Sequence, residues 1–325
     1  MRLSEFFAYC FRKVYIRFFA SKRKFRQYVK YVELWNQEAN DYCYNLLASD
    51  KPCMISKFGT IELSVLQQFR STKQIPSFND YVEFVKCIKP GLQHLNNNCL
   101  NGLCSNAGFF PNNVELVKDF YNIYVEAMKQ IDVLGSYIYG EKDFSEELKS
   151  AKKVNIEGYY YPFFFKNPWT KLLYGKKVLV VSPFDKEILA QYDNRKLIWG
   201  GKAEEILPDC NLIVYKSVQS MLGIKTEFKS WFEALSKMKQ DISKIDFDVA
   251  LIGCGAYGMP LAAYIKELGK QAIHLAGCTQ VLFGIRGKRW DDLDSVNKYI
   301  NNYWIRPYAD SIPEEAKKIE NGCYW

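Results

Sequence analysis

Between residues 171 and 275 the chain alternates short apolar runs with helical stretches, and this rhythm limits its fold more than any other feature. The pattern predicts strands over 177–183, 211–216, 247–253 and 271–275, with helices over about 186–192, 225–244 and 260–268. Parallel neighbours need a long crossover, usually a helix, so a strand–helix–strand rhythm predicts an α/β fold: a Rossmann-like, mostly parallel, doubly wound sheet.

Upstream the signals are weaker. A helical pattern runs over about 25–47, and a strand over 53–58 ends at Gly59 before a helix over about 61–69. The Asn- and Gly-rich stretch 91–111 predicts a loop, after which Asn112 and Asn113 cap a helix running to about 134. The aromatic run 159–165 has no clear period and reads either as a sugar-stacking platform or as a hydrophobic plug between lobes. The chain therefore divides into a basic amphipathic helical arm (1–48), an N-terminal α/β lobe (49–170) and a Rossmann-like nucleotide-binding lobe (171–325). No internal repeat is visible.

Composition matters mainly through where the charge lies. The net charge is +8, and residues 1–30 hold nine basic side chains against one acid, Glu5. The other basic and acidic residues cancel. A nucleic-acid binder would spread its cations over the folded body, so the reading is no nucleic acid, but an anionic membrane surface met by residues 1–30. Leu3, Phe6, Phe7, Cys10, Phe11, Val14, Tyr15, Phe18 and Phe19 recur at helical spacing, with Arg12, Lys13 and Arg17 off that face. Such a helix either lies in a membrane interface or docks on the domain. Glu5, Arg12 and Lys13 interrupt any secretory signal, and no apolar run nears the ~20 residues of a spanning helix. The expected place is the cytoplasm, peripheral on the inner membrane face. Ten cysteines without a C-x-x-C pair read as reduced, buried thiols, and two histidines argue against a His/Cys zinc site.

Three segments carry chemistry. Gly253-Cys254-Gly255-Ala256-Tyr257-Gly258 is a G-x-G-x-x-G between a strand and a helix, where Gly253, Gly255 and Gly258 admit a phosphate to the backbone or merely allow tight packing. A dinucleotide site also needs an acid about twenty residues on, but the next strand ends His274-Leu275-Ala276-Gly277. NAD is thereby weakened in favour of another nucleotide or phosphate. Arg286, Lys288 and Arg289, spaced by glycine, suit a diphosphate or form a solvated loop. At the end of the first strand, Lys57-Phe58-Gly59-Thr60-Ile61-Glu62 holds one carboxylate, which reads as a general base, a cation ligand or a first-turn helix residue.

That hexapeptide resembles the (Arg/Lys)-aromatic-Gly-Asp-x-Glu signature of the GT-D type glycosyltransferases, Asp-x-Glu enzymes of bacterial surface-polysaccharide biosynthesis. The 253–277 block is similar to their second nucleotide-binding-like unit. Stretch 167–290 and the closing Gly322-Cys323-Tyr324-Trp325 resemble GT-D-like proteins encoded among surface-polysaccharide genes. The likeness covers most of the chain after about residue 50. It implies transfer of a sugar from a nucleotide-sugar donor to a surface-polysaccharide or lipid-linked glycan acceptor. Thr60 stands where the family has its aspartate, so a divalent metal (Mn or Mg) would have only Glu62 as protein carboxylate.

The expected site has Glu62 and Asp185 as catalytic carboxylates. Gly59, Thr60, Asn106, Gly253, Gly255, Gly258, His274, Gln280, Arg286, Lys288 and Arg289 would bind the nucleotide sugar. A non-catalytic nucleotide- or lipid-binding accessory protein, or an NAD-dependent oxidoreductase, are the alternatives. The absence of G-x-S-x-G argues against a Ser/His/Asp hydrolase.

Overall fold

The computed structural model describes residues 3–19, 31–71, 77–87, 97–318 and 322–325. One sheet of seven parallel strands organises the body: β1 (Cys53–Ser56), β2 (Val133–Ser136), β3 (Lys152–Asn155), β4 (Lys177–Ser182), β5 (Asn211–Lys216), β6 (Val249–Ile252) and β7 (Gln271–His274), in the order β3-β2-β1-β7-β6-β4-β5. The Rossmann-like expectation is met. Stretches 49–170 and 171–325 meet inside this sheet, where β1 pairs with β7 through Cys53–Gln271, Met54–Ala272 and Ile55–Ile273.

Side chains along a strand alternate between faces, and the core divides accordingly. Met54, Leu134, Leu179, Ala250 and Ala272 face one apolar layer, packed by helices Thr60–Ser71, Val117–Lys129, Trp231–Ile242 and Gly258–Glu267. Ile55, Val133, Val180, Leu251 and Ile273 face the other, packed by helix Asn36–Ala48 and the segments holding Trp169, Trp199 and Phe283. Strands covered on both faces carry continuous apolar runs, which is why β4 and β6 are plain in the sequence.

Several local expectations change. The helix expected to reach residue 134 ends at Lys129, and Val133–Ser136 is a strand instead. Asn113, as expected of a cap, accepts from Glu115 N at 3.0 Å. Stretch 91–111 contains a helix, Asn97–Ala107, because Leu100, Leu103 and Ala107 share an apolar face that the core buries. The arm 1–48 divides: Leu3–Phe18 is a separate helix, whereas Asn36–Ala48 sends Ala39, Cys43 and Leu47 into the body's core. The expected helix over 25–47 falls partly outside the described residues. In the aromatic run, Tyr159, Pro162 and Phe163 are buried, with Trp199 and Tyr299 against Phe163, whereas Tyr160, Tyr161, Phe164 and Phe165 are half-buried. The cysteines are all free, but Cys10 and Cys87 are exposed.

Candidate functional site

Open parallel sheets bind ligands where loops leave the carboxyl ends of the strands. Here a cleft of about 300 Å³ lies at that edge, lined from the ends of β1, β2, β4, β5, β6 and β7 and closed by residues 106–108, Arg289, Tyr324 and Trp325. Most expected residues line it: Gly59, Thr60, Glu62, Asn106, Gly253, Gly255, His274, Gln280 and Arg289.

The β1 side supplies charge. Lys57 is buried, its ammonium 5.6 Å from the Tyr137 ring centroid and 6.0 Å from that of Tyr160. Burial pulls its pKa below the ordinary lysine value, Arg289 adds to this, and Glu62 opposes it. Tyr137 donates to Phe58 O at 2.7 Å, tying the end of β2 across this wall. Glu62 sits in the first helical turn with its carboxylate folded over Gly59: a Cβ there would lie 1.9 Å from Oε2. Gly59 is thus the residue that lets the carboxylate back into the cleft. Glu62 is thus both a first-turn helix residue and a lining residue of the cleft.

The β6–β7 side supplies space and unpaired polar atoms. Gly253 has no room for a side chain, since a Cβ would lie 2.5 Å from Thr279 Oγ1. Gly255 has φ +57 and is exposed at the mouth, the conformation glycine adopts without strain. Gly258 does not line the cleft; its hydrogen leaves room for His274, whose Nε2 would be 2.2 Å from a Cβ. His274 lies 3.1 Å from Ser56 Oγ through Nδ1. Burial, and next the Lys57 charge, push its pKa down to about 3, so the imidazole is neutral.

The structure separates some expected partners. Asp185 lies outside the cleft and pairs with Lys216 at 3.3 Å; Pro183 and Phe184 take the wall at the end of β4. Arg286 faces Asp291 at 3.9 Å, and Lys288 is exposed outside the cleft. Arg286 precedes the short helix Lys288–Asp291, in which Lys288 and Arg289 point in different directions; of these three cations Arg289 alone lines the cleft. Its guanidinium stacks 4.7 Å from the Tyr324 ring centroid. Gln280 lines the wall, but its amide donates to Tyr324 O at 3.1 Å and to Ile285 O at 3.3 Å, holding the closing segment. Asn106 accepts from Ser105 Oγ at 2.9 Å.

Sequence reasoning missed Lys57, Tyr137, Ser217, Gln219 and Thr279, all on the cleft wall. Lys57 stands within the motif but was eclipsed by Glu62, and Tyr137 follows a strand that the sequence pattern hides. Ser217 and Gln219 follow β5, where position alone was the signal. Ser217 Oγ, Gln219 Nε2, His274 Nε2, Thr279 Oγ1 and Trp325 Nε1 are buried without a hydrogen-bond partner. Left unpaired, each such atom costs about 1–3 kcal/mol; the five belong to residues after β5, at and after the end of β7 and in the closing segment, so they are spread around the cleft.

Among the described residues, Glu62 is the one carboxylate side chain lining the cleft, and no cluster of three or more His, Cys, Asp or Glu occurs. These residues do not fit a cation caged by protein alone. A lone carboxylate suits only an ion whose other ligands are substrate phosphates and water. No family model, curated protein or solved structure matches the chain.

Proposed function

We propose that this protein is a glycosyltransferase that moves a sugar from a nucleotide-sugar donor to a surface-polysaccharide or lipid-linked glycan acceptor. The observation that carries the reading is the cleft at the carboxyl edge of the sheet: Lys57 and Arg289 line it with, among the described residues, one carboxylate side chain, and residues with unpartnered buried polar atoms are spread around it. A nucleoside diphosphate would receive the two cations, and the sugar hydroxyls the unpaired groups. In the reaction an acceptor oxygen forms a bond to the anomeric carbon as the bond to the diphosphate oxygen breaks. Lys57 and Arg289 stabilise the charge gathering on the departing diphosphate, and Glu62 takes the acceptor proton. His274, neutral and buried, serves as a hydrogen-bonding wall rather than a charged group.

The test is a thermal-shift panel of nucleoside diphosphates, with and without Mn²⁺ or Mg²⁺, followed by donor hydrolysis or transfer with the best ligand. A ligand at about 100 times its dissociation constant stabilises by about 2.7 kcal/mol. No shift with any nucleotide would remove the reading. Thr60 at the family's aspartate position favours a second one, a non-catalytic nucleotide-binding accessory protein; binding without turnover under every metal condition selects it.

A further inference from the structure

Helix Leu3–Phe18 docks on helix Phe78–Val85 by a narrow face. Ala8 is buried there, Arg12 Nη1 donates to Phe84 O at 2.7 Å and covers the Phe84 ring, and Ser4 Oγ lies 3.0 Å from Tyr81 OH. Arg12 is therefore committed to the protein. Away from that contact, Phe7, Phe11, Val14 and Phe18 recur at i, i+4, i+7 and i+11, one stripe along the helix, and are 51, 61, 51 and 63% exposed. A contiguous apolar patch of this kind marks an interaction surface. Lys13 and Arg17 are exposed on the same helix, and the sequence from 20 to 30 adds five cations and no acid.

We propose that this stripe is the seat of an anionic lipid bilayer, with Phe7, Phe11, Val14 and Phe18 entering the interface and Lys13 and Arg17 meeting the lipid headgroups. Charge selects the occupant. A second copy of the chain seated on the stripe would bring two of the most basic segments together, whereas an anionic surface complements them. The cleft plays no part in this contact, so it stands or falls separately from the glycosyltransferase reading.

The test is flotation of the full chain with vesicles of equimolar phosphatidylcholine and phosphatidylglycerol, against phosphatidylcholine alone. The chain is expected to float with the anionic vesicles only, and less as salt rises. Phe11→Ser with Phe18→Ser, and separately Lys13→Glu with Arg17→Glu, should each lower partitioning at least about tenfold. Both double variants leave Ala8 and Arg12 in place, and an unchanged melting curve shows that each is folded. Three results overturn the proposal: no flotation of the unmodified chain, undiminished flotation of both double variants, or a concentration-dependent dimer in sedimentation equilibrium that Phe11→Ser with Phe18→Ser dissociates. The last assigns the stripe to a second copy.

Discussion

The two walls of the cleft are built from opposite materials. The β1 wall is charge held in place by packing: Lys57 buried against aromatic rings and Glu62 folded over Gly59. The β6–β7 wall is nearly uncharged, made of glycines with no room for side chains and of polar atoms left without partners. The first wall can stabilise developing charge; the second can shape and orient a ligand. Perturbing one should therefore change turnover, and perturbing the other should change fold or fit.

The largest expected effect lies in the second wall and concerns acid stability. The folded pKa of His274 is about 3 against 6.5 for a free imidazole. The unfolded chain binds the extra proton between these values, so stability falls as pH drops from about 6.5 towards 3, by a few kcal/mol in all. His274→Asn should flatten that limb of the stability–pH curve in denaturant titrations. An unchanged slope would mean that the imidazole is charged in the folded protein.

Next is Glu62→Gln, which keeps size and removes charge. Turnover should fall by about 10²-fold or more with the melting temperature nearly unchanged. If Glu62 only serves the helix dipole, the loss is instead a few tenths to about 1 kcal/mol of stability, and activity per folded molecule persists. Gly258→Ala sharpens the contrast from the packing side. Its Cβ meets an imidazole that cannot retreat, so overpacking by about 1–3 kcal/mol should lower the melting temperature, while Glu62→Gln should not. A Gly258→Ala protein as stable as the parent would show that the wall yields.

The smallest effects are expected at the two residues that the fold sets apart. Asp185→Asn and Lys288→Ala should leave nucleotide affinity within about 0.5 kcal/mol of the parent by calorimetry. A tenfold loss at either would return that residue to the site.

What was legible in the sequence follows from burial. The strands β4 and β6 announce themselves because both faces are covered and runs such as Val178–Val181 are wholly apolar, whereas β5, at the sheet edge, is only half-buried and shows itself through Leu212, Ile213 and Val214. β2 and β3 are four residues each, Val-Leu-Gly-Ser and Lys-Lys-Val-Asn, and are strands because they pair with neighbours rather than by propensity. Gly135 looks like a strand breaker, yet it is required where it stands: a Cβ there would be 2.1 Å from the Tyr159 ring. Within the site, the glycine turn and the Glu62 segment were readable because each lies directly after a strand. Lys57 was not, since a buried lysine cannot be told from a solvated one until Tyr137 and Tyr160 close around it. Adjacent cations were equally opaque: Arg286 and Arg289 look alike in sequence, and only the fold turns one towards Asp291 and the other towards the cleft.

The central claim is that the charged wall grips a diphosphate, and titration calorimetry of nucleoside diphosphates into the parent and Lys57→Met proteins across alkaline pH tests it most directly. The ammonium is needed for the contact, and its pKa is depressed in the free protein. Affinity should therefore decline at a pH below the ~10.4 of an ordinary lysine, with proton uptake on binding. Lys57→Met should bind about ten- to a hundredfold more weakly, as expected for a lost charge-assisted contact of about 1.5–3 kcal/mol, and lose that pH dependence. Equal affinity for parent and Lys57→Met, with the same pH profile, would contradict the account.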